Sequence, residues 1–248
     1  MTDQPTSFDS LERANRDRSR FSGHHRALGA AGYVDPNDRS ANVSFLAQRQ
    51  DSLCIDPPEG GVFPYLRIGA SWDNLRVEDE SLVGKIFKKT TPANVDLDLG
   101  ILYEFEDGRR GAVQALGEQM GRFEDFPYLS LSGDEQTGDT AGEDEYIHIN
   151  THHWAEFKRI LIYIYIYNGA QDWAEVTPQI HVHIPKEPKI VINLTSQQKG
   201  LAACAVVEIE NARGGFKITN YSEYFAGQAE MDRAFGYGIE WVDGHKSP

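Results

Sequence analysis

From residue 43 onward, short runs of alternating apolar and polar side chains recur between turn-forming residues, which is the pattern of half-buried strands. Leu53-Cys54-Ile55 ends at Pro57-Pro58, Tyr65-Leu66-Arg67-Ile68 leads into Gly69, and residues 95–99 run on toward Leu102-Tyr103. The longest run, 159–167, puts Ile160, Ile162, Ile164 and Ile166 on one side and Leu161, Tyr163, Tyr165 and Tyr167 on the other, because successive strand side chains point to opposite faces. A strand that is apolar on both faces belongs in the middle of a sheet. Further strands are expected over 128–131, 146–150, 179–184, 189–194, 203–209 and 215–219, with Gly214-Gly215 as a hairpin turn. Only 154–158 and 222–234 look helical, the second opened by Ser222, whose hydroxyl can accept a backbone N–H. Many short strands separated by turns predict an all-β fold, a two-sheet β-sandwich with a few short helices.

Residues 1–42 depart from this pattern. They are polar and charged, with Arg13, Arg16, Arg18, Arg20 and Arg26 around His24 and His25 and few large apolar residues, so they read as a disordered arm ahead of a single domain over 43–248. The whole chain has 24 Lys and Arg against 38 Asp and Glu, a net charge of −14, which disfavours nucleic acid because phosphate neutralisation needs clustered cations. Cys54 and Cys204 have no metal-ligand spacing; Cys204, in an apolar run, reads as a small core residue. The N-terminus has no apolar leader and no later run approaches a membrane span, so a cytoplasmic location is expected.

The acidic excess gathers in the middle of the chain, most densely over 131–145, where glycines alternate with carboxylates between two expected strands. Three glycines allow a tight fold that turns several oxygens inward. Each pair of carboxylates near 4 Å repels by about 1–4 kcal/mol, depending on the dielectric. A hard divalent cation relieves that repulsion, and calcium, with six to eight oxygen ligands in flexible geometry, suits an irregular loop better than magnesium. Asp96 and Asp98 fall on one face of their strand, a second element from which carboxylates could reach such an ion. A simply solvated loop is the alternative. The EF-hand spacing fails, because the sixth position counted from Asp134 is Asp139 instead of glycine; a phosphate loop fails because Asp139 stands where its lysine belongs.

These residues also resemble a known family. Gly133, Asp134, Thr137, Gly138, Gly142, Asp144 and Glu145 keep the acidic signature of the TerD-domain family of tellurium-resistance proteins. The stretch from Tyr65 to Trp72-Asp73 and the Asp96-Leu97-Asp98 strand are similar to two of its other motifs. The TerA-like branch is suggested by the run from Gly111 to Gly117, by Lys158-Arg159, Asn168-Gly169 and Trp173, and by a tail with Met231-Asp232, Tyr237 and Trp241. The resemblance implies a calcium-binding β-sandwich tied to tellurite resistance and general stress response, with no catalytic step. It departs from the family pattern at Glu135, Ala141 and Glu143; the loss of an acidic group at Ala141 puts one of two calcium positions in question. The expected metal ligands are Asp96, Asp98, Asp134, Asp144 and Glu145, with Glu143 and Asp139 as second choices. Partners implied are other Ter-family proteins or a membrane-associated complex, with peripheral association at the inner membrane surface.

Other chemistry is less well supported. His181 and His183 share a strand face, but with His148, His152 and His153 they lack cysteine partners or helical spacing, and read as surface or core histidines. No Gly-x-Ser-x-Gly elbow occurs, so no enzyme is expected. Gly236-Tyr237-Gly238 lacks the third glycine of a dinucleotide fingerprint and reads as a turn. A calcium-independent module that binds protein or carbohydrate through Trp72, Trp173, Tyr237 and Trp241 is the second functional reading.

Overall fold

The computed structural model describes residues 34, 42–72, 75–78, 90–93, 95–132, 143–170, 173–194 and 200–241. In chain order its strands are β1 (Val43–Phe45), β2 (Ser52–Ile55), β3 (Leu66–Ser71), β4 (Leu75–Glu78), β5 (Thr90–Ala93), β6 (Asp96–Phe105), β7 (Arg110–Val113), β8 (Gly121–Arg122), β9 (Leu129–Leu131), β10 (Glu145–Ile149), β11 (Phe157–Asn168), β12 (Gln179–His183), β13 (Lys189–Asn193), β14 (Ala203–Ala212) and β15 (Gly215–Phe225). The first sheet has the order β1-β13-β12-β3-β10-β9-β8 and the second β2-β15-β14-β11-β6-β7, while β4 and β5 pair apart from both. The fold is an all-β sandwich, as the alternation predicts.

The period-two pattern explains how the layers form. Ile160, Ile162 and Ile164 of β11 face the first sheet and pack with Leu97, Leu99 and Ile101 of β6 and with Ile68, Ile147 and Ile180 from across the sandwich. β11 lies between β14 and β6, the interior position that its two apolar faces require. Its other face, with Leu161 and Tyr163, joins Leu102, Ala205, Met231 and Tyr237 in a second core on the outside of the second sheet. The β14–β15 hairpin turns at Arg213 and Gly214, both at positive φ, and Cys204 is buried in β14.

Both expected helices are displaced. A 3-10 segment covers Thr151–Glu156, where Asn150 Oδ1 accepts the His152 N–H, and Phe157 already starts β11. The C-terminal helix, α2, runs over Gln228–Phe235, after the four-residue α1 at Trp173–Val176. Ser222 does not cap it: β15 continues to Phe225 because its partners in β14 extend to Ala203, and Gly227 takes the cap position. Gly236 ends α2 in the left-handed conformation that glycine adopts without strain.

α2 and the residues after it cover the outer face of the second sheet. Asp232 is buried, and its carboxylate accepts the Gly238 and Ile239 N–H groups at 2.7 Å and the Trp241 indole N–H at 3.0 Å. Arg159 of β11 bonds Glu104 and the Phe235 carbonyl, and its guanidinium lies 4.1 Å from the centre of the Tyr237 ring. Three of the four aromatic residues assigned to a binding patch are therefore interior: Trp72, Trp173 and Tyr237 are fully buried, and Trp241 is half-buried. The indole N–H groups of Trp72 and Trp173 donate to the Val95 and Leu201 carbonyls at 3.0 and 2.7 Å, the satisfied state expected of a core tryptophan. Asp232→Ala is expected to lower stability by about 1–3 kcal/mol and to shift Trp241 emission to the red. An unchanged melting temperature and spectrum would show that Asp232 does not hold the C-terminal segment.

Candidate functional site

Two groups of buried polar side chains stand out, one at an end of the sandwich and one on the outer face of the first sheet. Four of the expected ligands, Asp96, Asp98, Asp144 and Glu145, are buried near that end, although among the described residues no three of them bring their ligand atoms close enough together to hold an ion. Asp144 and Glu145 stand where residues 133–142 rejoin β10, next to the end of β3 and the start of β6. Asp144 Oδ2 accepts the Trp72 backbone N–H at 2.8 Å, and its own N–H donates to the Ala70 carbonyl. Glu145, fully buried, reaches across to β6, where Oε2 accepts the Leu99 N–H at 2.7 Å.

Asp96 and Asp98 lie on the opposite side of β6 from Leu97 and Leu99, as their spacing predicts. Asp98 pairs in register with Tyr165. Burial first, and the Asp98 charge second, push the Tyr163 phenol far above its ordinary range, so this tyrosine is a neutral donor to Gln114. Asp134 and Asp139 lie outside the described residues.

Glu143 belongs to the second group. Its side chain crosses the outer face of the first sheet and lies over Gly69 of β3, where an added Cβ would come within 2.0 Å of its Cδ. A glycine inside a strand marks such a close approach. The strand pairing sets Glu143's neighbours: His181 lies opposite Gly69 and His183 opposite Arg67 on β12, while Tyr146 and His148 flank the same two residues on β10. Arg67 pairs with Glu143 Oε2. Oε1 faces both histidines, at 3.0 Å from His181 Nδ1 and in direct contact with His183 Nε2. Among the described residues this is the grouping whose donor atoms could hold a metal, with all three within 4.8 Å of one another.

Burial alone would raise the Glu143 carboxyl, but its polar contacts with His181, His183 and Arg67 outweigh it and hold the group well below the ordinary carboxylate range. His181 is fully buried, and that desolvation keeps its ring below the usual histidine range in spite of Glu143. Burial, followed by the Arg67 charge, lowers His148 as well. Beside the cluster a cavity of about 320 Å³ opens between Tyr65, Arg67, Phe123, His148 and His183.

Arg67 and Gly69 were not singled out as functional by the chain's motifs, and the two histidines read as ordinary. The available signal was the i, i+2 pair of histidines beside a strand glycine; their meeting with Glu143 depends on sheet register.

Comparison with known proteins decides the lineage. The chain is 36% identical over 205 residues to the tellurium resistance protein TerA of an Alcaligenes species, in an alignment taking in 83% of this chain. The chain belongs to the TerA-like tellurium resistance family. No family model matches it. This TerA-like chain spans 59% of the length of that relative.

The Glu143 geometry makes a direct prediction. Gly69→Ala should destabilise the TerA-like chain by about 1–3 kcal/mol through overpacking, and by much less in a Glu143→Ala background, where the space is vacant. Equal costs in the two backgrounds, measured by denaturant unfolding, would show that Glu143 does not occupy the hollow above Gly69.

Proposed function

We propose that this TerA-like chain serves tellurium resistance and stress response as a calcium-dependent interaction module with no catalytic step of its own. The observation that carries this reading is the burial of Asp96, Asp98, Asp144 and Glu145 beside the point where the acidic segment 133–142 enters β10. Burying carboxylates is costly, and a doubly charged ion offsets the cost for several at once. The donors are all oxygens, which favours calcium over a transition metal. Asp144 and Glu145 are also pinned through backbone N–H groups, so less ordering remains for the ion to impose.

In this reading Asp134 and Asp139 complete the ligand set from the loop to give at least one weak site, and the loss of an acidic group at Ala141 leaves a second position open. The bound ion orders the loop and neutralises an acidic face, which then docks a partner. Such partners are other Ter-family proteins or a membrane-associated complex, met in the cytoplasm or at the inner membrane surface. Among the described residues no helix is long and apolar enough to cross a membrane. The competing reading, a calcium-independent patch that binds protein or carbohydrate, loses support from the burial of three of its four aromatics, Trp72, Trp173 and Tyr237.

Calorimetric titration of the chelator-treated protein with calcium is expected to give saturable heat. At a hundredfold excess over Kd the stability should rise by about 2.7 kcal/mol. Asp98→Asn should weaken the affinity while leaving the metal-free fold intact. Neither heat nor a melting shift at millimolar calcium would end the proposal.

A further inference from the structure

We propose that Glu143, His181 and His183 form a second metal site, specific for a divalent transition metal of the zinc class, on the outer face of the first sheet. It is independent of the calcium reading, whose first-choice ligands are Asp96, Asp98, Asp134, Asp144 and Glu145. Two imidazoles and one carboxylate are a donor set suited to zinc, whereas calcium prefers oxygens alone.

The decisive observation is the proton arrangement imposed by Gln179. Its side-chain amide is oriented by the backbone of Val34: Oε1 accepts the Val34 N–H at 2.8 Å and Nε2 donates to the Val34 carbonyl at 2.8 Å. The same Nε2 donates to Asn193 Oδ1 at 2.8 Å. With the amide set this way, Gln179 presents an acceptor to His181 Nε2 at 3.2 Å, so that ring nitrogen must carry the proton. A neutral His181 then turns the bare lone pair of Nδ1 toward Glu143 Oε1, 3.0 Å away. Two acceptors at that distance repel, a repulsion that Arg67 and His183 beside the carboxylate temper. A second proton would leave a fully buried imidazolium, whereas a metal ion accepts both lone pairs directly.

The surroundings match those of a metal ligand set. A ligating histidine ordinarily donates its remote N–H to a fixed acceptor, which is the part Gln179 plays for His181. A ligating carboxylate is ordinarily held through its other oxygen, as Arg67 holds Glu143 Oε2. A tetrahedral ion with bonds of about 2.0–2.1 Å keeps its ligand atoms about 3.3 Å apart. The three donor atoms already lie within 4.8 Å of one another, so small side-chain rotations suffice. Gly69 supplies the hollow in which the carboxylate lies. His183 also lines the cavity that opens beside Tyr65 and His148, which lets water or a small anion reach a fourth coordination position.

The test is titration of the chelator-treated full chain with Zn²⁺ by calorimetry, and with Co²⁺ by visible spectroscopy. One equivalent of zinc is expected, together with the intense visible bands of tetrahedral cobalt. His183→Ala removes a partly exposed ligand and should weaken zinc binding by more than about tenfold; Glu143→Gln, which keeps the side chain's shape, should do the same. Calcium heats should be unchanged in His183→Ala, and zinc heats unchanged in Asp98→Asn, so the two sites succeed or fail separately. No stoichiometric zinc uptake, or uptake unaltered in both His183→Ala and Glu143→Gln, would overturn the proposal.

Discussion

At one end of the sandwich the two sheets are joined by hydrogen bonds that cross the core, and the rest of the structure is built around that junction. β7 pairs with β6 only over Ile101–Glu104, so among the described residues no strand lies along the edge of β6 before that point to accept its N–H groups. Glu145 of the opposite sheet supplies the acceptor for Leu99, and the Trp72 indole donates across the same gap to the Val95 carbonyl. An unpaired buried N–H costs about 1–3 kcal/mol, so a carboxylate here has a structural task before it has any ligand to bind.

The fold was largely legible in the chain, and the reasons lie in particular elements. β11 announces its interior place through isoleucine on one side and leucine and tyrosine on the other, and Gly214-Gly215 marks the hairpin that follows β14. Ser222 misled because its capping chemistry is local, whereas β15 continues through it on ladder pairing with Cys204 and Ala203. Tertiary pairing overrides local propensity in that way. Trp72, Trp173 and Tyr237 misled because an aromatic in an irregular stretch reads equally well as a contact residue or as a plug. Burial settles the choice, and burial is not a local property.

The candidate sites were legible in unequal measure. The face shared by Asp96 and Asp98 followed from the strand period alone. The meeting of Glu143 with His181 and His183 did not, because it spans 38 and 40 residues of sequence and depends on which residue of β3 lies beneath. A shift of one residue in the β3–β12 pairing would put Ile68 in place of Gly69 and close the hollow. Register, a property of the whole sheet, thus creates a site that no stretch of the chain encodes by itself.

Val34 has a role out of proportion to its place far ahead of β1. By gripping both ends of the Gln179 amide with its own backbone, it carries the position of an upstream residue into the orientation of a ring buried beneath the sheet's outer surface. Because the grip uses main-chain atoms, replacing the valine side chain would leave it standing, while clipping the chain between Val34 and β1 would loosen it. The histidine's choice of which nitrogen holds hydrogen is, in that sense, controlled from outside the sandwich.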